Sequence, residues 1–101
     1  HGRLELMRAL RMLDAHSAER AALLETAQMF HRPLRDGSLP DYRIEMCRHR
    51  LKAFAKQRLI RMRSIRCSLG RYYTRSTVDE FMESRFAIDT EIMALLRYEG
   101  G

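Results

Sequence analysis

The sequence has no long apolar run and few of the residues that interrupt helices. No stretch approaches the roughly 20 consecutive apolar residues that a membrane-spanning helix requires, so we expect no membrane insertion. Only two of the 101 residues are proline and five are glycine. Both prolines lie in RPLRDGSLPD, residues 32 to 41, which has the composition of a loop.

Motifs for catalysis and metal binding are also missing. There is no Gly-rich phosphate loop and no nucleophile motif. The histidines and cysteines, including His16, lack the spacing of metal ligands. We therefore predict a protein that is not an enzyme and that uses no cofactor, no metal and no small-molecule substrate.

Cysteine is scarce, and its placement argues against a disulfide. Cys47 and Cys67 lie 20 residues apart within one predicted helix, where a rise of about 1.5 Å per residue separates them by roughly 30 Å. They cannot pair with each other in that helix. Because no secretory signal is recognisable either, we expect an intracellular protein, cytoplasmic or nuclear.

Acidic residues are nearly absent from the middle of the chain. The net charge is +6, but residues 43 to 75 contain eleven lysines and arginines against the single acid Glu45. Residues 1 to 42 carry six charges of each sign, and residues 76 to 101 carry six acids and two bases. This asymmetry indicates either an anionic partner for the middle segment or internal pairing with the acidic C-terminal third.

Apolar spacing and capping residues predict an all-α domain over residues 1 to 101, a helical bundle of three to four helices with a long basic central helix. The predicted helices cover about residues 3 to 31, 42 to 69 and 77 to 97, with a loop at 32 to 41.

The first and last predicted helices each show a further sequence signal. Leu4, Met7, Leu10 and Leu13 recur at helical spacing, but whether the first segment is one bent helix or two is open. Ser76 is the predicted N-cap of the last helix.

The central helix is apolar on two sides. A main stripe is expected to face the core: Ile44, Cys47, Leu51, Phe54, Ala55, Met62, Ile65 and Leu69. A narrower seam repeats every seven residues on roughly the opposite side: Met46, Ala53, Ile60 and Cys67. Either further helices cover this seam inside the bundle, or it binds a protein partner or a second copy of the chain.

Basic residues occupy the flanks between the two apolar sides. One flank carries Arg48, Lys52, Lys56, Arg63 and Arg66, and Arg71 and Arg75 follow the helix. These seven residues are the predicted contacts to nucleic-acid phosphates. The alternative is that acids of the last helix cover the same flank.

Arg58 is the one base that falls on the main apolar stripe. An unpaired charge at such a position costs several kcal/mol. We therefore predict a structural ion pair between Arg58 and one of three acids, Glu80, Glu83 or Asp89.

The segment around Arg58 resembles a known family. The relevant residues are Arg58 to Met62 (RLIRM), the preceding Arg48, Leu51 and Phe54, and the later Ser76, Glu80 and Phe81. This pattern is similar to the signature helix, and the Ser-capped helix after it, in the α-helical domain of GINS subunits. The resemblance covers about residues 40 to 96. It implies a scaffold subunit of the replicative helicase assembly that binds sister subunits through helix faces, without catalysis.

A second resemblance competes with the first. IRCSLGRYYTRSTVDEFMESR, residues 65 to 85, is similar to the wing hairpin and following helix of excisionase-type winged-helix proteins. It implies an α+β winged helix with a hairpin near residues 64 to 75, and Arg66, Arg71 and Arg75 on phosphates. The helical prediction is favoured because the main stripe stays in phase through Ile65.

Three functions follow from these patterns. The first is a non-enzymatic helical assembly subunit of a nucleic-acid machine, a GINS-like scaffold in DNA replication. The second is a small basic DNA-binding protein of the winged-helix type, acting in recombination or transcription. The third is a helical adaptor unrelated to nucleic acid, whose arginines pair with the acidic last helix.

Overall fold

Helices account for nearly all of the structure, a computed structural model that describes the backbone of residues 2 to 36 and 41 to 98 and the side chains of residues 2 to 26 and 45 to 94. The helices are α1 (Gly2–Asp36), α2 (Asp41–Gly70), α3 (Arg75–Phe86) and α4 (Thr90–Tyr98), with a 3-10 turn at Ala87–Asp89. No strand occurs within the described ranges. The all-α prediction is confirmed.

The alternative hairpin near residues 64 to 75 is wrong. α2 stays helical through Gly70, and the backbone N–H groups of Tyr72 and Tyr73 both donate to the Leu69 carbonyl at 3.0 Å. Such bonds close a helix end instead of pairing two strands. Ile65 is fully buried on the helical stripe, so its packing favours the helix.

The start of α3 differs from the prediction by two residues. Thr74, not Ser76, is the N-cap, because its side-chain oxygen accepts a hydrogen bond from the Thr77 N–H at 3.3 Å. Both residues have capping side chains and lie close together in the sequence, so composition alone did not distinguish them.

The described part of the predicted loop at residues 32 to 41 is helical. α1 is one continuous helix through Asp36 and includes Pro33. Proline removes a single backbone donor, and the helix continues for three residues beyond it. Residues 37 to 40 lie outside the described residues.

The predicted last helix is divided by the 3-10 turn. The Ala87 N–H donates to the Glu83 carbonyl and ends α3, and the Thr90 N–H donates to the Ala87 carbonyl within the turn. The turn contains Asp89, which is fully buried. Its burial places a carboxylate inside the protein between α3 and α4.

α1 and α2 run antiparallel, and α3 and α4 pack against this pair. Arg71 at the end of α2 pairs with Glu5 near the start of α1, and Arg61 pairs with Glu19 further along. α4 contacts both long helices, and α3 contacts α2. The molecule measures 52 × 22 × 17 Å, so with helices about 10 Å across it is two helices thick.

Among the described side chains, two apolar clusters form the core. One contains Ala9, Leu13, Ile65, Val78, Met82 and Phe86, and the other contains Leu23, Cys47, Leu51, Phe54 and Ile92. The described part of the main stripe of α2 is thus buried or half-buried. In α1, Leu4, Met7 and Leu10 are exposed, because a spacing of three residues drifts by about 60° per step around a helix.

Asp89 lies between the two clusters and accepts hydrogen bonds from three side chains. Its Oδ2 accepts from His16 Nε2 at 2.9 Å and from Arg58 Nε at 2.8 Å. Its Oδ1 accepts from Arg20 Nη1 at 2.9 Å. Asp89 therefore connects α1, α2 and the 3-10 turn through one carboxylate.

The same cations also bind backbone carbonyls at the end of α3. Arg58 Nη2 donates to the Phe86 carbonyl, and Arg20 Nη1 donates to the Arg85 carbonyl, both at 3.2 Å. Each guanidinium thus donates both to the Asp89 carboxylate and to a carbonyl at the end of α3. The last carbonyls of a helix have no hydrogen-bond partner within the helix.

His16 is held in one orientation by aromatic rings and by charge. Its ring lies 5.0 Å from the Phe54 ring and 4.9 Å from the Phe86 ring, centroid to centroid. Nε2 donates to Asp89, while Nδ1 faces Arg61 Nη1 at 3.4 Å. Since guanidinium groups only donate, the neutral tautomer with its proton on Nε2 satisfies both contacts.

The environment of Asp89 keeps its carboxylate ionised. Burial is the strongest single influence on its pKa and raises it, but the hydrogen bonds from Arg20, His16 and Arg58 together outweigh burial. The net result is a pKa of Asp89 below the ordinary value of 3.8. A negative charge at the centre of the protein is thereby maintained at neutral pH.

Arg58→Ala should lower the free energy of unfolding by about 2 to 3 kcal/mol, because hydrogen bonds to charged groups contribute about 1.5 to 3 kcal/mol. Asp89 keeps its bonds from Arg20 and His16, which limits the loss. Urea denaturation followed by circular dichroism measures it. The control is Arg63→Ala, an exposed site on the same helix, expected to change stability by less than about 0.5 kcal/mol. Equal losses in both variants would contradict the prediction.

Low pH should remove the contribution of the Asp89 carboxylate to the stability of the fold. A carboxylate with a lowered folded pKa stabilises the fold above its unfolded pKa, about 3.9, and the contribution is lost as the pH falls through the folded pKa. The stability difference between the wild type and Asp89→Asn should be constant from about pH 5 to 7 and shrink below about pH 4. Independently, an NMR titration of the Asp89 carboxyl carbon should have its midpoint below 3.8; a higher midpoint would contradict the assignment.

Candidate functional site

The exposed side of α2 combines apolar and basic residues. We call it the outer face; it lies opposite the buried Phe54 and Ile65. Its members are exposed residues that share this side at about 100° per residue: Met46, His49, Lys52, Ala53, Lys56, Leu59, Ile60, Arg63 and Cys67.

The seven-residue seam lies on this outer face and is open to solvent. Met46 is 53% exposed and Ile60 is 51% exposed, and Ala53 and Cys67 are exposed as well. No helix of the described part covers the seam. The described helices therefore do not bury the seam inside the bundle, and it is open to contact from outside.

Three of the seven predicted phosphate contacts point outward together. Lys52, Lys56 and Arg63 are exposed, and they lie within about 40° of one another around the helix. Among the described side chains, none of the three has a carboxylate within ion-pair distance. They form a short strip of positive charge beside the seam.

The remaining predicted phosphate contacts do not join this strip. Arg48 pairs with Glu45 at 2.8 Å, Arg66 pairs with Asp79, and Arg71 pairs with Glu5. Arg75 is exposed at the first residue of α3. Among the described side chains, the acids of the last third of the chain reach the predicted flank at one edge, through the pair between Asp79 and Arg66.

A groove of about 250 Å³ lies between α1 and α2, beside the seam. Ala22, Leu23 and Thr26 of α1 and Arg50 and Ala53 of α2 line it, together with Glu19. The small side chains of Ala22 and Ala53 leave the space open, and Glu19 is held at one end by Arg61 at 2.6 Å. The groove widens the apolar part of the outer face at its middle.

A second groove, of about 320 Å³, lies between α1 and α3 on another side of the protein. Ala9, Leu13 and Val78 are its buried residues, and Leu10 and Tyr73, about half exposed, line it as well. Its lining is almost wholly apolar. Sequence reasoning missed this groove because its walls come from helices far apart in the chain.

The buried polar groups serve the fold. His16 and Asp89 are 1% and 0% exposed, so no substrate reaches them while the helices are packed. Within the described side chains, no group of three His, Cys, Asp or Glu residues is arranged to hold a metal ion. In the same part of the chain, none of the helices combines the length and hydropathy needed to cross a bilayer.

Arg58 has an acidic partner from the three predicted candidates, and His16 and Arg20, which were not predicted there, share that partner. The structure pairs Arg58 with Asp89, whereas Glu80 and Glu83 are exposed on α3. The sequence patterns exclude His16 as a metal ligand without giving it another role, and they give Arg20 none. The signal for both was their spacing of four residues on α1, which places them on one side of the helix.

No protein-family model, curated protein or solved structure matches the chain. The features of the chain that indicate a function are the chemistry of the outer face and the residue pattern around Arg58.

Proposed function

We propose that this chain is a non-enzymatic helical assembly subunit that binds a protein partner through the outer face of α2. The observation that carries the proposal is the exposed seam. Met46 and Ile60 are half exposed on a helix whose opposite stripe is already buried. Aligned exposed apolar side chains commonly mark interaction sites on proteins.

The assembly we propose is a nucleic-acid machine, and within it a GINS-like scaffold in DNA replication. Two features support this choice. The basic strip lies next to the seam, so an anionic polymer could be close to the interface. In the RLIRM segment, Arg58 and Arg61 make internal ion pairs, while Leu59 and Ile60 are 55% and 51% exposed. This division suits a scaffold whose arginines stabilise the bundle and whose apolar residues contact a sister subunit. We place it inside the cell.

Ile60→Glu should strongly weaken partner binding without unfolding the protein. A carboxylate at the centre of the seam would be desolvated in the complex, which weakens binding by about tenfold or more. Affinity purification from the source cells, with quantitative mass spectrometry, identifies proteins that the wild type retains and Ile60→Glu loses. Each is then purified and its Kd measured with both variants.

Ile88→Glu is the matched control, because Ile88 is 58% exposed and lies in the 3-10 turn, which contacts α2 through Arg58 on the side opposite the outer face. It should retain the partner. Both variants should keep the helical circular dichroism of the wild type. If Ile60→Glu retains every protein that the wild type binds, the outer face is not the interface.

Direct binding to nucleic acid is the second candidate function. The specific observation in its favour is that Lys52, Lys56 and Arg63 lie on one strip without carboxylate partners among the described residues. Three adjacent cations can neutralise phosphates of one strand and release condensed counterions. The winged-helix form of this function is excluded by the fold, so the contact would be made by a helix face.

Fluorescence anisotropy with a labelled duplex tests this candidate from about 50 to 200 mM salt, where phosphate contacts weaken strongly. Replacing Lys52, Lys56 and Arg63 together by alanine should weaken binding and reduce the salt slope by about 0.9 for each phosphate that is no longer neutralised. The control replaces Arg3, Arg8 and Arg11, three exposed bases on α1, and removes the same charge. Equal losses in both variants, or no binding at the lowest salt, would contradict a specific site on α2.

A further inference from the structure

The seam is long and narrow, which is the shape of a site for one helix. Met46 and Cys67 are 21 residues apart in α2, a distance of about 31 Å along the axis. Each seven-residue step supplies one seam residue, and the groove beside Ala53 adds a depression at its middle. An apolar side chain of a facing helix can enter this depression, as a knob enters a hole between helices.

Positive charge borders the seam on both sides. Lys52, Lys56 and Arg63 lie along one edge, and Arg50 lies at the other edge in the lining of the groove. Residues 46 to 70 contain no acid. Two acids beside this surface are already engaged, because Glu45 pairs with Arg48 and Glu19, in the lining of the groove, pairs with Arg61.

This charge pattern argues against a second copy of the chain on the same face. Two outer faces in contact would bring their basic edges together around a narrow apolar seam. Like charges placed opposite each other at an interface cost several kcal/mol. The seam alone offers only one apolar residue per seven, so little apolar burial would offset that repulsion.

The apolar component argues against nucleic acid as the main occupant. Phosphates would satisfy the three cations but would leave Met46, Leu59 and Ile60, each more than half exposed, without apolar contact. An acidic amphipathic helix satisfies both parts of the surface. Its apolar side chains cover the seam, and its carboxylates, three or four residues away on the same helix, reach the basic edges.

We propose that the outer face of α2 binds an acidic amphipathic helix of a partner protein, laid along the seam from Met46 to Cys67. Its apolar residues contact Met46, Ala53 and Ile60, and its carboxylates pair with Lys52, Lys56 and Arg63. This inference rests on the proposed function, because it names the chemistry of the partner at the same site.

Three synthetic helical peptides test the proposal with the full chain. Each is about 28 residues long, enough to cover the seam at about 1.5 Å per residue, and each carries leucine at every seventh position in an alanine-rich background. The flanking positions are glutamate in the first, glutamine in the second and lysine in the third. Binding is measured by anisotropy of the labelled peptide at about 50 and 200 mM salt, a range in which exposed charge pairs are progressively screened.

We expect the glutamate peptide to bind at least tenfold more tightly than the glutamine peptide, and the lysine peptide not to bind. Ile60→Glu should abolish binding and Ile88→Glu should not. Lys52→Glu, Lys56→Glu and Arg63→Glu together should reverse the preference, so that the lysine peptide binds and the glutamate peptide does not. These positions are exposed, and circular dichroism verifies that the variant is folded.

Several results would overturn the proposal. Equal binding of the glutamate and glutamine peptides would show an apolar interface without charge selection, and the proposed assembly function would stand. A duplex that displaces the glutamate peptide, with an affinity unchanged by Ile60→Glu, would assign the face to nucleic acid. If none of the peptides binds, the acidic-helix inference fails, while the assembly function is decided separately by the Ile60→Glu purification.

Discussion

The packing of α3, the 3-10 turn and α4 against the pair α1 and α2 depends on one group, the carboxylate of Asp89. It lies between the two apolar clusters, where His16 and Arg20 reach it from α1 and Arg58 reaches it from α2. An unpaired charge there would cost several kcal/mol, but a carboxylate with charged hydrogen bonds to both oxygens is compensated. The donors of these hydrogen bonds come from both long helices. The network therefore determines the position of the 3-10 turn relative to α1 and α2.

This network also determines which charges of α2 are available outside. Arg58 and Arg61 are turned toward α1 and the 3-10 turn, where they bind Asp89 and Glu19. The basic character of α2 is therefore divided between internal pairing and the outer face. The exposed strip is smaller than the run of bases in the sequence, and it lies directly beside the apolar seam.

The thickness of the molecule explains why the seam is exposed. With two layers of helices, α2 is covered by α1 on one side and by α3 and α4 on another, and no further layer in the described structure reaches its outer face. The seam is apolar, bordered by cations and deepened by the groove at Ala53, and from this combination we infer a partner that is both apolar and acidic. Both proposals concern this one surface. The proposed assembly function is based on the exposure of the seam, and the proposed acidic helix is based on the positive charge at its edges.

Local sequence patterns determined the helical class, the buried stripe of α2 and the need of Arg58 for a carboxylate, because each depends only on residue spacing along one helix. The positions of the apolar residues around α2, at about 100° per residue, also distinguished the seam from the main stripe on the opposite side. Tertiary structure alone decided that Asp89, and not Glu80 or Glu83, is the partner of Arg58, since all three are acids of the same segment. It also decided that His16 and Arg20 share that carboxylate, that the seam is exposed, and that Arg66 and Arg71 are engaged by Asp79 and Glu5. These outcomes depend on which helix faces meet across long sequence separations, and no local periodicity contains that information.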